Sequence, residues 1–522
     1  MLQAFLAEQR RLTAVDRFAD SRIGAAAGSG RYRELIPGTS PGPGEQYAFE
    51  VDLDRCSGCK ACVTGCHSRN GLDDGETWRA IGEVAAGAAC GSSLQTVTTA
   101  CHHCADPGCL SGCPVLAYEK DPDTGIVAHL DDQCIGCRYC TMKCPYDVPV
   151  YDERRGIVRK CDLCATRLAD GEAPACAEAC PTEAIRIVHV ARDIDAPTAR
   201  AGFAAVPGAP DAAITLPTTR YVGARASGSR PRPAGPVAPA PADWPLVAML
   251  VLTQSAVGMS VAGALAADGA RSWLALAAAS AALVGIAASI THLGRPLYAF
   301  RALLGLRTSW LSREVAAFGV YAGLAVAHAI AVWTAPGGAA AAITEVATPV
   351  AGVAAIACSA MVYIDTPRLA WSSPRTLVRF AVTTGLAALL SGALASLAFG
   401  DSAAGLSVLA SAVVLTALAT EASSLAKGLQ SSDRVRRLGA GLTVGPLRLY
   451  SVARCSLGAA AAVALVGAAA APAGSVWPLL ALAAVFVLVS EFFERALFFR
   501  AVVVPRMPGT GSPTLSTAGS VR

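Results

Sequence analysis

The chain has 522 residues, 53% hydrophobic and only 16% charged, with a formal net charge of +4 at pH 7. A soluble domain carries about a quarter charged residues, and the mean hydropathy here is +0.45. This balance excludes a wholly water-soluble chain, and it lacks the basic surplus that holds nucleic acid.

The first segment, residues 1–45, opens with Leu2, Phe5, Leu6, Leu12, Val15 and Phe18 among charged residues, which reads as a short amphipathic docking helix over 2–19. No apolar core follows Arg10-Arg11, so neither an export signal nor a span is expected there. Sixteen of the nineteen cysteines then fall in four groups within residues 46–195. Cys56, Cys59, Cys62 and Cys66 have the same spacing as Cys134, Cys137, Cys140 and Cys144. Cys101, Cys104, Cys109 and Cys113 form a stretched version, and Cys161, Cys164, Cys176 and Cys180 a longer one. Such a compact loop supplies three thiolates to a cubane [4Fe-4S] cluster while the fourth cysteine reaches a neighbouring cluster, so clusters come in pairs. Structural zinc instead brings two Cys-x2-Cys pairs together across a spacer. A chain of this length needs no disulfide staples. Four [4Fe-4S] clusters are expected, with Cys90, Cys358 and Cys455 left over as ordinary small residues.

Residues 196–243 are rich in proline and alanine, with eight prolines between Pro207 and Pro241, and read as an extended linker. From 244 to 504 eight spans are expected, roughly 245–267, 272–292, 314–334, 345–364, 379–399, 403–423, 453–471 and 476–498, with tryptophans at their edges. Residues 505–522 read as a loose tail. The connections 293–313, 365–378 and 426–452 are basic, whereas the alternate ones carry only Arg271. By the positive-inside rule this favours the cytoplasm over the periplasm for the basic loops, and eight spans put the cysteine-rich domain on the same side.

His292 closes the second span and Glu314 opens the third, so both lie on the face that carries the cysteine domain. A quinol losing two electrons must also lose two protons, and a histidine and a carboxylate at that face would take them. Helix-end anchoring is the plainer reading of the same residues. His328 lies fourteen residues beyond Glu314, about 21 Å along a helix. It cannot clasp a haem together with His292, so no haem is expected, and His328 reads as a satisfied bundle residue.

Cys101-His102-His103-Cys104, Tyr118-Glu119-Lys120-Asp121-Pro122 and Lys143-Cys144-Pro145-Tyr146-Asp147 resemble the iron–sulfur subunit of the DMSO reductase family of molybdopterin oxidoreductases, over about residues 46–190. Trp244-Pro245-Leu246, His292-Leu293-Gly294-Arg295-Pro296 and Ser490-Glu491-Phe492-Phe493-Glu494-Arg495 resemble that family's membrane anchor. The implied fold class is α+β: an N-terminal double ferredoxin-like four-cluster domain linked to an all-α eight-helix transmembrane bundle. The resemblance also implies nested ligation: Cys56, Cys59 and Cys62 with Cys180; Cys161, Cys164 and Cys176 with Cys66; Cys101, Cys104 and Cys109 with Cys144; and Cys134, Cys137 and Cys140 with Cys113. It maps quinol binding, menaquinol or ubiquinol, onto His292 and Glu314. It further implies a separate molybdopterin-bearing catalytic subunit and a place in a bacterial inner membrane, as in anaerobic respiration.

The respiratory enzyme that names the family faces the periplasm, unlike the side the arginines favour here. Cytoplasm-facing relatives include sulfite-oxidising enzymes that run electrons toward quinone. The expected role is electron transfer and anchoring, with quinol oxidised on this chain and substrate chemistry on another. The same wire run in reverse, in a sulfite-oxidising or nitrate-reducing complex, a soluble ferredoxin or dehydrogenase as partner, and an assembly anchor with structural clusters stand as alternatives.

Overall fold

The computed structural model describes residues 35–86, 93–192, 206–223, 230–231, 237–504 and 506–508. The amphipathic helix expected over 2–19, Cys90 and nearly all of the tail lie outside them.

The cysteine-rich domain is closed by its own ends. Strand β1 (Glu45–Asp52) precedes the first cysteine group, and the last strand of the domain, Ile185–Ala191, follows the fourth. The two pair antiparallel from Glu45↔Ala191 to Val51↔Ile185, burying Tyr47, Phe49 and Val51. Between them run α1 (Ala61–Asn70), the antiparallel pair β2 (Ala80–Ala86) and β3 (Ser93–Thr99), and α2 (Gly108–Ser111). Two short antiparallel ribbons follow, β4 (Tyr118–Lys120) with β5 (Val127–His129) and β6 (Val150–Asp152) with β7 (Ile157–Arg159), separated by α3 (Tyr139–Lys143). Helices α4 (Ala165–Ala169) and α5 (Ala175–Glu178) complete the domain before Ile185–Ala191, which is β8.

The expected linker over 196–243 needs correction in its middle. Residues 206–223 fold onto the cysteine domain, where β9 (Arg220–Val222) pairs parallel with β1 on the side away from β8. Val206, Thr215, Thr219 and Tyr221 are buried there. A proline-rich average conceals this short β-capable run, which covers the open edge of β1.

Among the described residues, eight helices are long and apolar enough to cross a membrane. They are α6 (Trp244–Ala264), α7 (Asp268–Ile290), α8 (Trp310–Thr334), α9 (Ala339–Ile364), α10 (Ser373–Ala398) and α11 (Ala404–Leu429), then, after the short α12 (Arg434–Val444), α13 (Arg448–Ala470) and α14 (Ala473–Arg500). The shortest, at 21 residues, reaches about 32 Å at 1.5 Å per residue, enough for a bilayer core. Pro472 caps the start of α14 and thereby divides one long apolar run into two helices. Asp433 starts α12 by accepting bonds from the Val435 and Arg436 N–H groups at 2.8 and 3.1 Å. One apolar core unites α6–α9 with Phe380 of α10 and Phe498 and Phe499 of α14, and another unites α10, α11, α13 and α14.

Candidate functional site

The repeated cysteine spacing folds in a repeated way. In the first and third groups, Gly58 and Gly136 both take φ +71°, and the residues after the second cysteine, Lys60 and Arg138, sit at φ 64° and 59°. Each loop thus curls left-handed before α1 or α3 begins, and these helices carry the third cysteine inward. The resulting cavities are lined by cysteines from different groups. One of about 380 Å³ has Cys101, Cys104, Cys109 and Cys144 on its wall. Two of about 270 Å³ have Cys56, Cys59, Cys62 and Cys180, and Cys113, Cys134, Cys137 and Cys140. Cys161 and Cys164 each lie within electrostatic reach of Cys66 and Cys176.

The donor set suits a body larger than one ion. Tetrahedral zinc at about 2.3 Å holds its thiolates roughly 3.8 Å apart. Among the described residues the one trio of ligand atoms within 4.8 Å is Asp73, Glu76 and Asp152, and no three cysteine sulfurs are that close. Those carboxylates are already neutralised by Arg154 at 2.7 Å, Arg159 at 3.0 Å and Arg155 at 3.3 Å.

N–H and O–H donors point at the sulfurs. The Ala117 and Ala184 amides donate to Cys113 and Cys180 at 3.2 and 3.3 Å, and the Thr96 hydroxyl donates to Cys56 at 3.2 Å. Two buried cations stand among the thiols. Burial alone would lower the pKa of Arg79, but Cys176, Cys62, Cys161 and Cys66 around it raise it. Lys160 is likewise opposed by burial and raised by Cys101, Cys109 and Cys161, and its Nζ donates to the Cys161 carbonyl at 2.9 Å. Burial pushes His102 down to about 3, with Arg79 adding to the effect, so its imidazole is neutral. Hydrogen bonds to sulfur and nearby charge are the levers by which a protein sets a cluster's potential.

The third cysteine loop is also the docking face for the bundle. The Arg295 N–H donates to the Ile135 carbonyl at 3.1 Å, and its guanidinium donates to the Asp131 carbonyl at 2.8 Å. Arg301 reaches the Asp132 carbonyl at 2.8 Å, Arg368 the Thr141 carbonyl at 3.2 Å, and Lys143 the Asp365 carboxylate at 2.7 Å. Gly136, Gly156 and Gly294 meet backbone to backbone, and a Cβ on Gly294 would overlap the Gly156 carbonyl.

His292 follows α7 at this face. Its Nδ1 donates to the Ser289 carbonyl, an acceptor only, which leaves Nε2 as the ring's acceptor nitrogen. Burial lowers the His292 pKa against an opposing pull from Asp243, with Arg138 and the Cys137 backbone also close by. Glu314 lies in the first turns of α8, only 4% exposed, and its Oε1 has no hydrogen-bond partner. Ser359 of α9 faces it. The two side chains therefore border one stretch of the cysteine domain, Cys137-Arg138-Tyr139, since Glu314 is an electrostatic neighbour of Tyr139. His328 is elsewhere, bonded to the Thr344 hydroxyl at 3.0 Å.

Two features escaped the sequence reading. Tyr139 carries no spacing signal, yet its ring is fully buried in the α6–α9 core. An ion network, Arg454–Glu491 at 2.9 Å, Arg454–Glu421 at 3.1 Å and Arg379–Glu494 at 3.2 Å, lies inside the bundle. The Ser490–Arg495 motif was its only sequence signal.

A ferredoxin-like iron–sulfur domain docked on an eight-helix membrane bundle defines a membrane-anchored electron-transfer protein. Residues 240–500 match the DMSO reductase anchor subunit (DmsC) family, and residues 93–190 match the 4Fe-4S dicluster domain. The B subunit of the anaerobic dimethyl sulfoxide reductase of Haemophilus influenzae is 41% identical over 150 residues, covering 27% of this chain and 73% of that protein. Its Escherichia coli K12 counterpart is 42% identical over 148 residues, covering 27% and 72%. The thiosulfate reductase electron transfer subunit PhsB of Salmonella typhi is 38% identical over 145 residues, covering 27% and 74%. The chain belongs to the DMSO reductase family, as an iron–sulfur subunit and a multi-pass anchor subunit joined in one polypeptide.

Proposed function

We propose that this chain carries electrons between membrane quinol and a separate molybdenum-containing catalytic subunit, through four [4Fe-4S] clusters held by the sixteen grouped cysteines. The observation that carries the reading is the shared border of His292 and Glu314 with Cys137–Tyr139, inside one ligand loop. Bound clusters would supply one-electron carriers, the first of them at Cys113, Cys134, Cys137 and Cys140.

The chain's own part is to bind the quinol and take its protons. His292 presents Nε2 to one quinol hydroxyl, and the unpartnered Glu314 oxygen accepts from the other. Glu314 is buried and His292 half-buried, and each proton leaves by a side chain as an electron leaves through the loop. His292→Ala and Glu314→Gln should each lower quinol-linked turnover at least about 100-fold, the usual worth of a positioned acid or base. Turnover with an artificial electron donor to the clusters should stay intact. Unchanged quinol kinetics in both variants would overturn the site.

A further inference from the structure

The cysteine domain sends one side chain into the membrane bundle. Tyr139 lies between the ligands Cys137 and Cys140, at the start of α3, directly after the left-handed Arg138. Its ring is 0% exposed and packs among residues of α6, α8 and α9, with Val247, Phe318, Tyr321 and Tyr363 in the same core. Its hydroxyl donates to the Val362 carbonyl of α9 at 3.0 Å. Val362 is one turn beyond Ser359, the residue that faces Glu314.

We propose that Tyr139 is a positioning residue of the quinol site, holding the end of α9, and through Ser359 the Glu314 carboxyl, at a fixed distance from the ligand loop Cys137–Cys140. The inference rests on the quinol reading above. It makes the site a composite one: neither the anchor nor the iron–sulfur domain alone holds Glu314 in register with Cys137. The neighbouring ion pair of Lys143 and Asp365 joins α3 to the end of α9 at 2.7 Å, with Lys143 12% and Asp365 37% exposed. It serves as the control for docking alone.

The test uses the full chain in membranes with its catalytic partner, and rates are normalised to the cluster EPR signal so that loss of folded chain does not register. Tyr139→Phe removes the hydroxyl and keeps the ring. It should raise the KM for quinol roughly tenfold, the size expected for one lost buried hydrogen bond. It should also abolish the change that a quinone-analogue inhibitor makes in the EPR line shape of the nearest cluster. Turnover with an artificial donor should not change. Lys143→Met should leave quinol KM and the inhibitor effect as in the parent. Equal effects of the two variants would reduce Tyr139 to a docking contact and overturn the proposal. So would an unchanged KM in Tyr139→Phe while His292→Ala abolishes quinol turnover. If His292→Ala and Glu314→Gln also change nothing, it is the quinol reading itself that fails.

Discussion

Arg79 shows how much one side chain can contribute among cysteines. A fully buried guanidinium facing Cys62, Cys66, Cys161 and Cys176 would be costly in an apolar core, and under the proposed cluster ligation the charge of the bound thiolates would offset that cost. Its Nη1 donates to the Thr98 hydroxyl at 3.2 Å, and its guanidinium lies 4.6 Å from the centre of the Phe49 ring. Arg79→Met should therefore lower the midpoint potentials of the flanking clusters, since a reduced cluster gains more from a nearby cation than an oxidised one. Redox-titrated EPR would reveal the shift, and unmoved potentials would show that Arg79 only packs. Gly294 contributes in a different way. With no room for a Cβ beside Gly156, Gly294→Ala should separate the bundle from the third cysteine loop. Quinol-linked cluster reduction should slow while cluster content, read by iron and EPR, holds.

The membrane helices were legible because lipid imposes a strict requirement. Each span needs about 20 apolar residues, and the expected spans match the eight helices to within several residues at their ends. The cysteine groups stood out because their spacing is local. What escaped the reading is held by distant partners. Tyr139 meets Val362 across 223 residues, and β9 pairs with β1 from the far end of the domain. The ion network is of this kind too. Glu421 of α11, Arg454 of α13 and Glu491 of α14 sit on three apolar helices, and only packing makes them neighbours. Arg495 extends the network to Gln254 of α6 at 2.7 Å. Its role is to tie α10, α11, α13 and α14 to α6, and removing one partner leaves the others charged in an apolar medium. Arg454→Leu should cost about 3–5 kcal/mol, seen as a fall in Tm of the detergent-solubilised protein. Arg454→Leu with Glu491→Gln should recover part of that loss. A double variant no better than the single one would argue against the pairing.

Orientation follows from where the charges remain once docking is accounted for. The Ala240 N–H donates to the Arg500 carbonyl at 3.1 Å, so both ends of the bundle lie at the docking face. Arg295, Arg301 and Arg368, part of the basic bias, are spent on carbonyls of the cysteine domain and say little about the membrane. Arg307, Arg313, Arg375, Lys427, Arg434, Arg436, Arg437 and Arg448 remain on that side. The opposite side has only Arg271, which Glu345 already pairs at 3.2 Å. The excess thus survives the correction, and it favours a cytoplasmic cluster domain. Because His292 and Glu314 share that face, protons taken from quinol would be released to the cytoplasm, and oxidation at this site would add nothing to a proton gradient. A fluorescent reporter that matures only in the cytoplasm, fused after residue 508, should be bright, and a phosphatase active only in the periplasm should be silent at the same point. The reverse pattern would place the cluster domain outside and turn the proton release with it.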